Sequence, residues 1–207
     1  MNGNASAQGE MEGARAPLLL GLDLGSSAVK AVAVDGRHVV AQASAALDAA
    51  SPRPGWSEQA PDDWLQAAAS ACRSVVEQLG HRTDRIAAIG LSGQMHGATL
   101  LAADRTPLRP CILWNDSRSA PQCQQLQAAL PDLGQRAGVP AMPGFTAPKL
   151  LWLAQNEPGL HARIRHVLLP KDYLGLWLTG TLATDRSDAA GTLWLDQASA
   201  CWDEDLC

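Results

Sequence analysis

The sequence lacks the features on which several classes of function depend. Its five cysteines are an odd number without a C-x-x-C pair, which argues against a disulfide framework or a zinc site and favours reduced thiols. Its 16 basic and 21 acidic residues form no block of like charge, so neither a nucleic-acid surface nor a polybasic membrane patch is expected. No apolar run approaches the roughly 18 residues of a membrane-spanning helix. We therefore expect a soluble cytoplasmic protein without nucleic-acid or membrane partners.

Catalytic patterns of the hydrolases are missing as well. The sequence has no metal-ligand spacing, no Cys/His nucleophile arrangement and no Gly-x-Ser-x-Gly elbow. Residues 1–17 are rich in Gly, Ala and Asn and lack the long apolar segment of a signal peptide, so they are predicted to be a flexible leader. The remaining residues, 18–207, are enough to bury a sizeable core.

Strand and helix patterns alternate along residues 18–207. The predicted strands are 18–20, 29–34, 38–43, 86–91, 98–101, 108–114, 167–169 and 192–195, and both 18–20 and 86–91 are predicted to be buried. The predicted helices are 61–79, 120–130, 149–156 and 171–179, and the predicted loops include 138–148 and 184–188. Strands that come first and then alternate with helices indicate an α/β layered fold with a mixed sheet.

Residues 21–30 form a hairpin pattern around which the rest of the chain is organised. A tight turn, Gly25-Ser26-Ser27, offers bare backbone N–H groups and two hydroxyls, and Gly25 lets a ligand approach the backbone closely. Asp23 stands at the mouth, where a carboxylate can lie beside phosphates if a metal ion or waters intervene. Such a tip suits nucleotide phosphates, although a plain turn has the same composition.

Two polar segments follow strands and could bind a ligand. Gln94, Met95 and His96 come at the end of the strand 86–91, where ligands bind in open α/β sheets; the alternative is a histidine tucked under a loop. Asp116 and Arg118 could recognise a polyol, Asp116 accepting and Arg118 donating hydrogen bonds. The alternative there is a helix N-cap by Asp116 with Arg118 in solvent.

Several of these segments resemble known sequences. Residues 21–30 resemble the first phosphate-binding hairpin of the actin/hexokinase-like ATPases. Residues 144–156 (GFTAPKLLWLAQN) match a signature of the FGGY carbohydrate kinases at each of its specified positions. The xylulokinase branch is resembled by residues 92–97, 113–116, 168–174 and 187–192.

The resemblance implies a ribonuclease-H-like domain with a mixed sheet flanked by helices, which is the sugar-side domain of such a kinase. It implies that D-xylulose and ATP are the substrates and that Mg²⁺ is required. Asp23 would act near Mg²⁺ and the transferred phosphoryl group. The implied sugar-binding residues are Gln94, Met95, His96, Asp116 and Arg118, and the implied ATP phosphate-binding residues are Gly25, Ser26, Ser27 and Lys30.

One departure from the family concerns length. Family members are about twice as long, and the Asp that accepts the proton of the sugar hydroxyl would lie past residue 207, as would the ATP domain. None of Asp185, Asp188, Asp203 and Asp205 has the expected Gly-Gly-Gly-Asp-Asn context, so no general base is assigned. The chain alone is expected to be inactive, and an uncovered face would favour a homodimer. Alternatives are a non-catalytic sugar-binding module and an FGGY kinase for another polyol, such as ribulose or glycerol.

Overall fold

The computed structural model describes residues 16–206, so the predicted leader lies almost wholly outside the described residues. The strands are β1 (Leu18–Leu24), β2 (Ala28–Asp35), β3 (His38–Ala46), β4 (Glu58–Gln59), β5 (Ile86–Gly93), β6 (Thr99–Leu101), β7 (Cys111–Ile112), β8 (His166–Leu168), β9 (Leu195–Asp196) and β10 (Cys201–Trp202). The helices are α1 (Pro61–Leu79), α2 (Ala120–Ala129), α3 (Leu133–Arg136), α4 (Thr146–Asn156), α5 (Pro158–His161), α6 (Pro170–Thr179) and α7 (Arg186–Ala190). Among residues 16–206, no helix is both long and apolar enough to cross a membrane.

The main sheet has four strands in the order β3-β2-β1-β5. β1, β2 and β3 are antiparallel neighbours, whereas β1 and β5 run parallel, so the predicted mixed sheet is confirmed. In the parallel pair Leu24 lies opposite Gly93, and both strands end at the same edge of the sheet. The turn after β1 therefore lies beside the loop after β5.

Helix α1 covers one face of this sheet. Its apolar positions follow the helical period, and the buried members include Trp64, Ala68 and Val75. They pack with the alternate residues of β1, of which the four leucines at even positions are buried. The helix begins with Pro61 followed by two acidic residues, and it ends at Gly80, whose φ of 55° suits glycine. The predicted helix 61–79 is confirmed.

Strand β5 is not buried, contrary to the prediction from its apolar run. Residues 87–90 are exposed, and Ile89 keeps 48% of its surface in contact with solvent. The physical reason is position: β5 pairs with β1 on one side, and no other described strand pairs with its second edge. The sheet face opposite α1 is also open, so the predicted burial of 18–20 is wrong at Leu19, which is 50% exposed.

Two further predictions from the middle of the chain need correction. Of the predicted strand 108–114, only Cys111–Ile112 is a strand. The strand begins after Pro110 because proline has no N–H to donate to a neighbouring strand. The predicted loop 138–148 contains the start of α4, which begins at Thr146.

The segment after α6 also differs from its prediction. The predicted loop 184–188 contains the start of α7, which is capped by Asp185: its Oδ1 accepts from the N–H of Asp188 at 3.0 Å. The predicted strand 192–195 is mostly a turn, because Leu193 has a φ of 68° and the strand begins at Leu195.

Candidate functional site

The turn between β1 and β2 is the predicted phosphate-binding tip. It is closed by a hydrogen bond from the N–H of Gly25 to the carbonyl of Ala28, at 3.0 Å. A Cβ at Gly25 would lie 3.0 Å from that same carbonyl, so the turn has little room for a side chain. Ser27 is exposed and Ser26 is half-buried. The tip therefore presents its serines at the edge of the sheet.

Asp23 and Lys30 lie just behind this tip. They are partners across the antiparallel β1–β2 pair, and Asp23 is also opposite Ser92 on β5, so the three residues share the open face of the sheet. They line a shallow depression of about 460 Å³ together with Gly21 and Gly90. Asp23 and Lys30 are both exposed. A carboxylate and an ammonium are thus available to phosphates and their metal ion.

The predicted sugar-binding loop begins where β5 ends, next to the hairpin. The N–H of Gln94 donates to the carbonyl of Leu24 at 2.7 Å, which fixes the start of the loop to the end of β1. Met95 is 43% exposed, whereas the Gln94 side chain is buried. The structure therefore brings together the predicted phosphate residues and the predicted residues Gln94, Met95 and His96.

Gln59, a residue to which sequence reasoning gave no role, joins these two segments. Its Nε2 donates to the carbonyl of Ser26 at 2.7 Å, and its Oε1 accepts from Nε2 of Gln94 at 3.1 Å. The same Oε1 accepts from the indole N–H of Trp64 at 3.0 Å. Gln59 lies 33 residues from Ser26 and 35 from Gln94, so no local pattern could have indicated the contact.

His96 occupies an unusual turn. Its φ is 64°, and the N–H of Gly97 donates to the carbonyl of Met95 at 2.8 Å, as in the strained form of the γ-turn. The carbonyl of His96 accepts from Nζ of Lys149 at 2.8 Å and from Oγ1 of Thr146 at 3.2 Å. The backbone of this loop is therefore held from the first turn of α4.

The imidazole of His96 is half-buried under its neighbours. Its ring meets that of Phe145 edge-on, with 4.5 Å between centroids, and it packs directly against Gly191. Burial lowers the pKa of His96, the nearby ammonium of Lys149 lowers it further, and Asp188 opposes them. These effects favour the neutral imidazole, which can both donate and accept a hydrogen bond. Its contact with a sugar stays a prediction.

Asp116 and Arg118 form a buried ion pair rather than a cap and a solvated side chain. Oδ2 of Asp116 lies 2.7 Å from Nη2 of Arg118 and also accepts from the N–H of Ser57, at 2.7 Å. Nη2 of Arg118 also lies 2.7 Å from Glu58, and its guanidinium stacks 3.6 Å above the ring of Trp56. Helix α2 is preceded by Ser119 as its N-cap residue, so the capping alternative for Asp116 is wrong.

This network leaves little of Asp116 and Arg118 for a ligand. Both residues are buried. Among the described residues, Nη1 of Arg118 finds no hydrogen-bond acceptor. Their arrangement orients Trp56, which lies on the Pro-rich loop before β4. Their direct contact with a polyol stays a prediction.

The four aspartates without the expected motif are held by basic side chains. Nζ of Lys171 lies 2.8 Å from Asp185 and 3.4 Å from Asp188. Arg136 pairs with Asp203 and with Asp205. None of the four is assigned as a general base.

Within residues 16–206 no group of three or more His, Cys, Asp or Glu could hold a metal ion. A single carboxylate such as Asp23 does fit Mg²⁺, which is commonly held by one or two carboxylates together with substrate phosphates.

A larger cavity lies between α4, β8, α6 and the C-terminal segment. Its volume is about 880 Å³, and its polar lining includes His161, His166 and Asp172. Trp194 and Trp202 also line it. None of the sequence-predicted site residues lines this cavity.

Comparison with known proteins gives one consistent result. Residues 18–207 match the model of the FGGY family of carbohydrate kinases, N-terminal domain. The chain is 47% identical over 188 residues to the xylulose kinase of Escherichia coli (strain K12), and the match covers 90% of this chain and 38% of the relative. The xylulose kinase of Klebsiella pneumoniae is 45% identical over 192 residues, covering 91% of this chain and 39% of the relative.

Solved structures give the same answer. The crystal structure of a "xyloylose kinase" from Brucella ovis superimposes with a TM-score of 0.89 at 50% identity, covering 91% of this chain and 40% of that one. The actin/hexokinase-like ATPase fold that the resemblance implied is thereby confirmed. The chain spans about two fifths of the length of the relatives that it matches. It belongs to the FGGY family of carbohydrate kinases, whose N-terminal domain it contains.

Proposed function

We propose that this domain supplies the sugar site and the first phosphate hairpin of an ATP-dependent kinase that converts D-xylulose to D-xylulose 5-phosphate. The names of the relatives support the sugar, since proteins 45–47% identical to the chain are xylulose kinases. The match to two fifths of those relatives supports a second part of the site contributed by residues that this chain does not include. The cytoplasmic location and the homodimer stay predictions.

The observation that carries the proposal is the contact between the two segments of the site. The hydrogen bond from Gln94 to Leu24 and the side chain of Gln59 hold the sugar loop beside the phosphate hairpin. A kinase needs such proximity because phosphoryl transfer depends mainly on alignment and charge neutralisation, and little on covalent chemistry by the protein.

Each segment has a distinct task in this proposal. Backbone N–H groups and hydroxyls of the hairpin tip bind phosphate oxygens, and Lys30 adds a positive charge on the same side. Asp23 would hold Mg²⁺, which when bound neutralises negative charge on the phosphates. His96 is neutral and orients a sugar hydroxyl by hydrogen bonding, while Met95 contacts the apolar side of the sugar.

A hybrid protein tests the kinase activity. In the hybrid, residues 18–207 replace the matching part of the E. coli xylulose kinase, and ADP release is coupled to a spectroscopic readout. D-Xylulose-dependent turnover is expected, with little turnover on ribulose or glycerol. A hybrid that prefers ribulose or glycerol would assign the domain to another polyol kinase.

Calorimetry on the 207-residue chain separates binding from catalysis. The chain alone should bind D-xylulose and show no useful turnover, because loss of a general base alone lowers rates by roughly 10²–10⁴. Brisk turnover by the chain alone would contradict the proposed division of the site. Sugar binding together with an inactive hybrid would favour the non-catalytic sugar-binding module, provided that the hybrid folds.

A further inference from the structure

Lys149 is a wholly buried charged residue on the first turn of α4. Its Nζ donates to the carbonyl of His96 at 2.8 Å and to the carbonyl of Gly144, so both of its acceptors are backbone groups. Burial lowers the pKa of Lys149 to about 8. Burying an ammonium costs free energy, whereas burying a Met or Leu side chain of similar size does not. The position therefore uses the N–H donors of lysine and not just its volume.

Lys149 donates to the residue with the most unusual backbone conformation in the candidate site, His96. His96 has a positive φ and is the central residue of the γ-turn. A non-glycine residue in this conformation is strained and persists only where its surroundings fix it. Lys149 and Thr146 supply that restraint by donating to the same carbonyl oxygen. The next residue, Gly97, has no room for a side chain, because a Cβ there would lie 2.7 Å from Cγ of Pro170.

We propose that Lys149 is a positioning residue: together with Thr146 it clamps the carbonyl of His96 and thereby sets the orientation in which Met95 and His96 receive the sugar. The sugar part of this statement rests on the proposed function. The clamp itself does not, because it concerns only contacts within the chain.

The charge of Lys149 provides a signature that a purely structural residue would not have. The charged groups that act on the His96 imidazole are Lys149 on α4, which favours the neutral ring, and Asp188 on α7, which favours the protonated ring. Phe145 packs on the ring and carries no charge. Replacing Lys149 by an uncharged residue therefore raises the pKa of His96, and this readout requires no ligand.

The experiment uses the 207-residue chain with ¹⁵N-labelled histidine and backbone, and three variants. Lys149→Met removes the charge and the donors, and Thr146→Val removes one donor and keeps the charge. Thr179→Val is the matched control, because the Thr179 hydroxyl also donates to a backbone carbonyl but is exposed at the end of α6. The His96 signals are assigned by their loss in His96→Gln.

Three results are expected. Lys149→Met raises the pKa of His96, speeds hydrogen exchange of the Gly97 amide, and weakens D-xylulose binding roughly tenfold, since a misplacement of about 1 Å can cost that much or more. Thr146→Val speeds Gly97 exchange and leaves the pKa of His96 unchanged. Thr179→Val changes none of these quantities.

Other outcomes decide against the clamp. A folded Lys149→Met variant with unchanged His96 titration, Gly97 exchange and sugar affinity overturns the proposal. If Lys149→Met does not fold, Thr146→Val decides, and unchanged Gly97 exchange overturns the clamp. If the parent chain binds no D-xylulose, the proposed function fails, and the His96 titration and Gly97 exchange still support or overturn the clamp.

Discussion

The packing of the His96 ring against Gly191 permits a test by a single added methyl group. Gly191 has a φ of −75°, which any residue adopts, so Gly191→Ala strains no backbone and any loss of stability comes from lack of space, against a small entropic gain of about 0.4–1 kcal/mol from the less flexible unfolded chain. A Cβ at this position would lie 2.1 Å from Cε1 and Nδ1 of His96. Ordinary carbon contacts begin near 3.4 Å, so the ring or the end of α7 must move by about 1.3 Å.

This displacement should be visible in stability and in binding. Gly191→Ala is expected to lower the free energy of unfolding by about 1–3 kcal/mol, the usual cost of overpacking. It should also weaken D-xylulose binding roughly tenfold or more, because His96 moves. Urea unfolding followed by tryptophan fluorescence measures the first quantity, and calorimetry measures the second. Gly159→Ala is the control, since a Cβ there meets open space and no loss of stability is expected.

A double-mutant cycle shows whether the ring is the obstacle. His96→Ala vacates the space beside Gly191, so adding Gly191→Ala to it should cost nearly nothing. The two substitutions should therefore couple by about 1–3 kcal/mol in the unfolding free energy. Additive effects would refute the reasoning, because they would mean that His96 does not occupy the space beside Gly191.

Three further predictions concern charged groups. The folded-state pKa of Lys149, about 8, lies below its ordinary 10.5, so the unfolded chain binds more protons between these pH values and the Lys149 contribution to stability rises with pH by about 3 kcal/mol. Burial raises the pKa of the Cys111 thiol to about 12, which lowers stability as the pH rises above 9 and so opposes the effect of Lys149. The contribution of Lys149 is therefore measured as the difference in unfolding free energy between the parent chain and Lys149→Met at each pH. A difference that does not change with pH would contradict the prediction. Asp23→Asn should lower hybrid kinase activity at least about 100-fold without changing sugar binding, whereas Asp35→Asn, at the far end of β2, should leave activity unchanged. Arg118→Met should lower the unfolding free energy by about 3–5 kcal/mol because it leaves Asp116 buried without its partner, and an unchanged urea midpoint would contradict this structural role.

Local chemistry made part of this structure predictable from sequence. The hairpin of β1 and β2 depends on a glycine-serine turn between two apolar runs, and the helix 61–79 depends on its own apolar spacing and terminal residues. Neither requires knowledge of distant residues. The burial of β5 failed as a prediction because an apolar run shows that a strand forms without showing which strands pair beside it.

The parts of the site that could not be predicted depend on long-range contacts. From sequence Lys149 looks like an ordinary helix lysine, because its acceptor lies 53 residues earlier in the chain. Arg118 is predicted to be solvent-exposed, because its contacts with Glu58 and Trp56 are not evident from sequence. The positive φ of His96 is likewise only weakly indicated by its residue type, and the two side chains that donate to its carbonyl, Lys149 and Thr146, lie 53 and 50 residues away in the chain.

The contacts of Gln59 determine the polarity of the neighbouring amide. An indole N–H can only donate, so Trp64 fixes which end of the Gln59 amide is the oxygen, and that oxygen in turn requires the nitrogen of the Gln94 amide to face it. The Gln94 oxygen is then oriented away and finds no donor among residues 16–206. That oxygen is buried, so any group that satisfies it must lie within the fold and must bring a hydrogen of its own. A tryptophan in the core thus determines, through two amides, that this buried position calls for a hydrogen-bond donor and not for an acceptor.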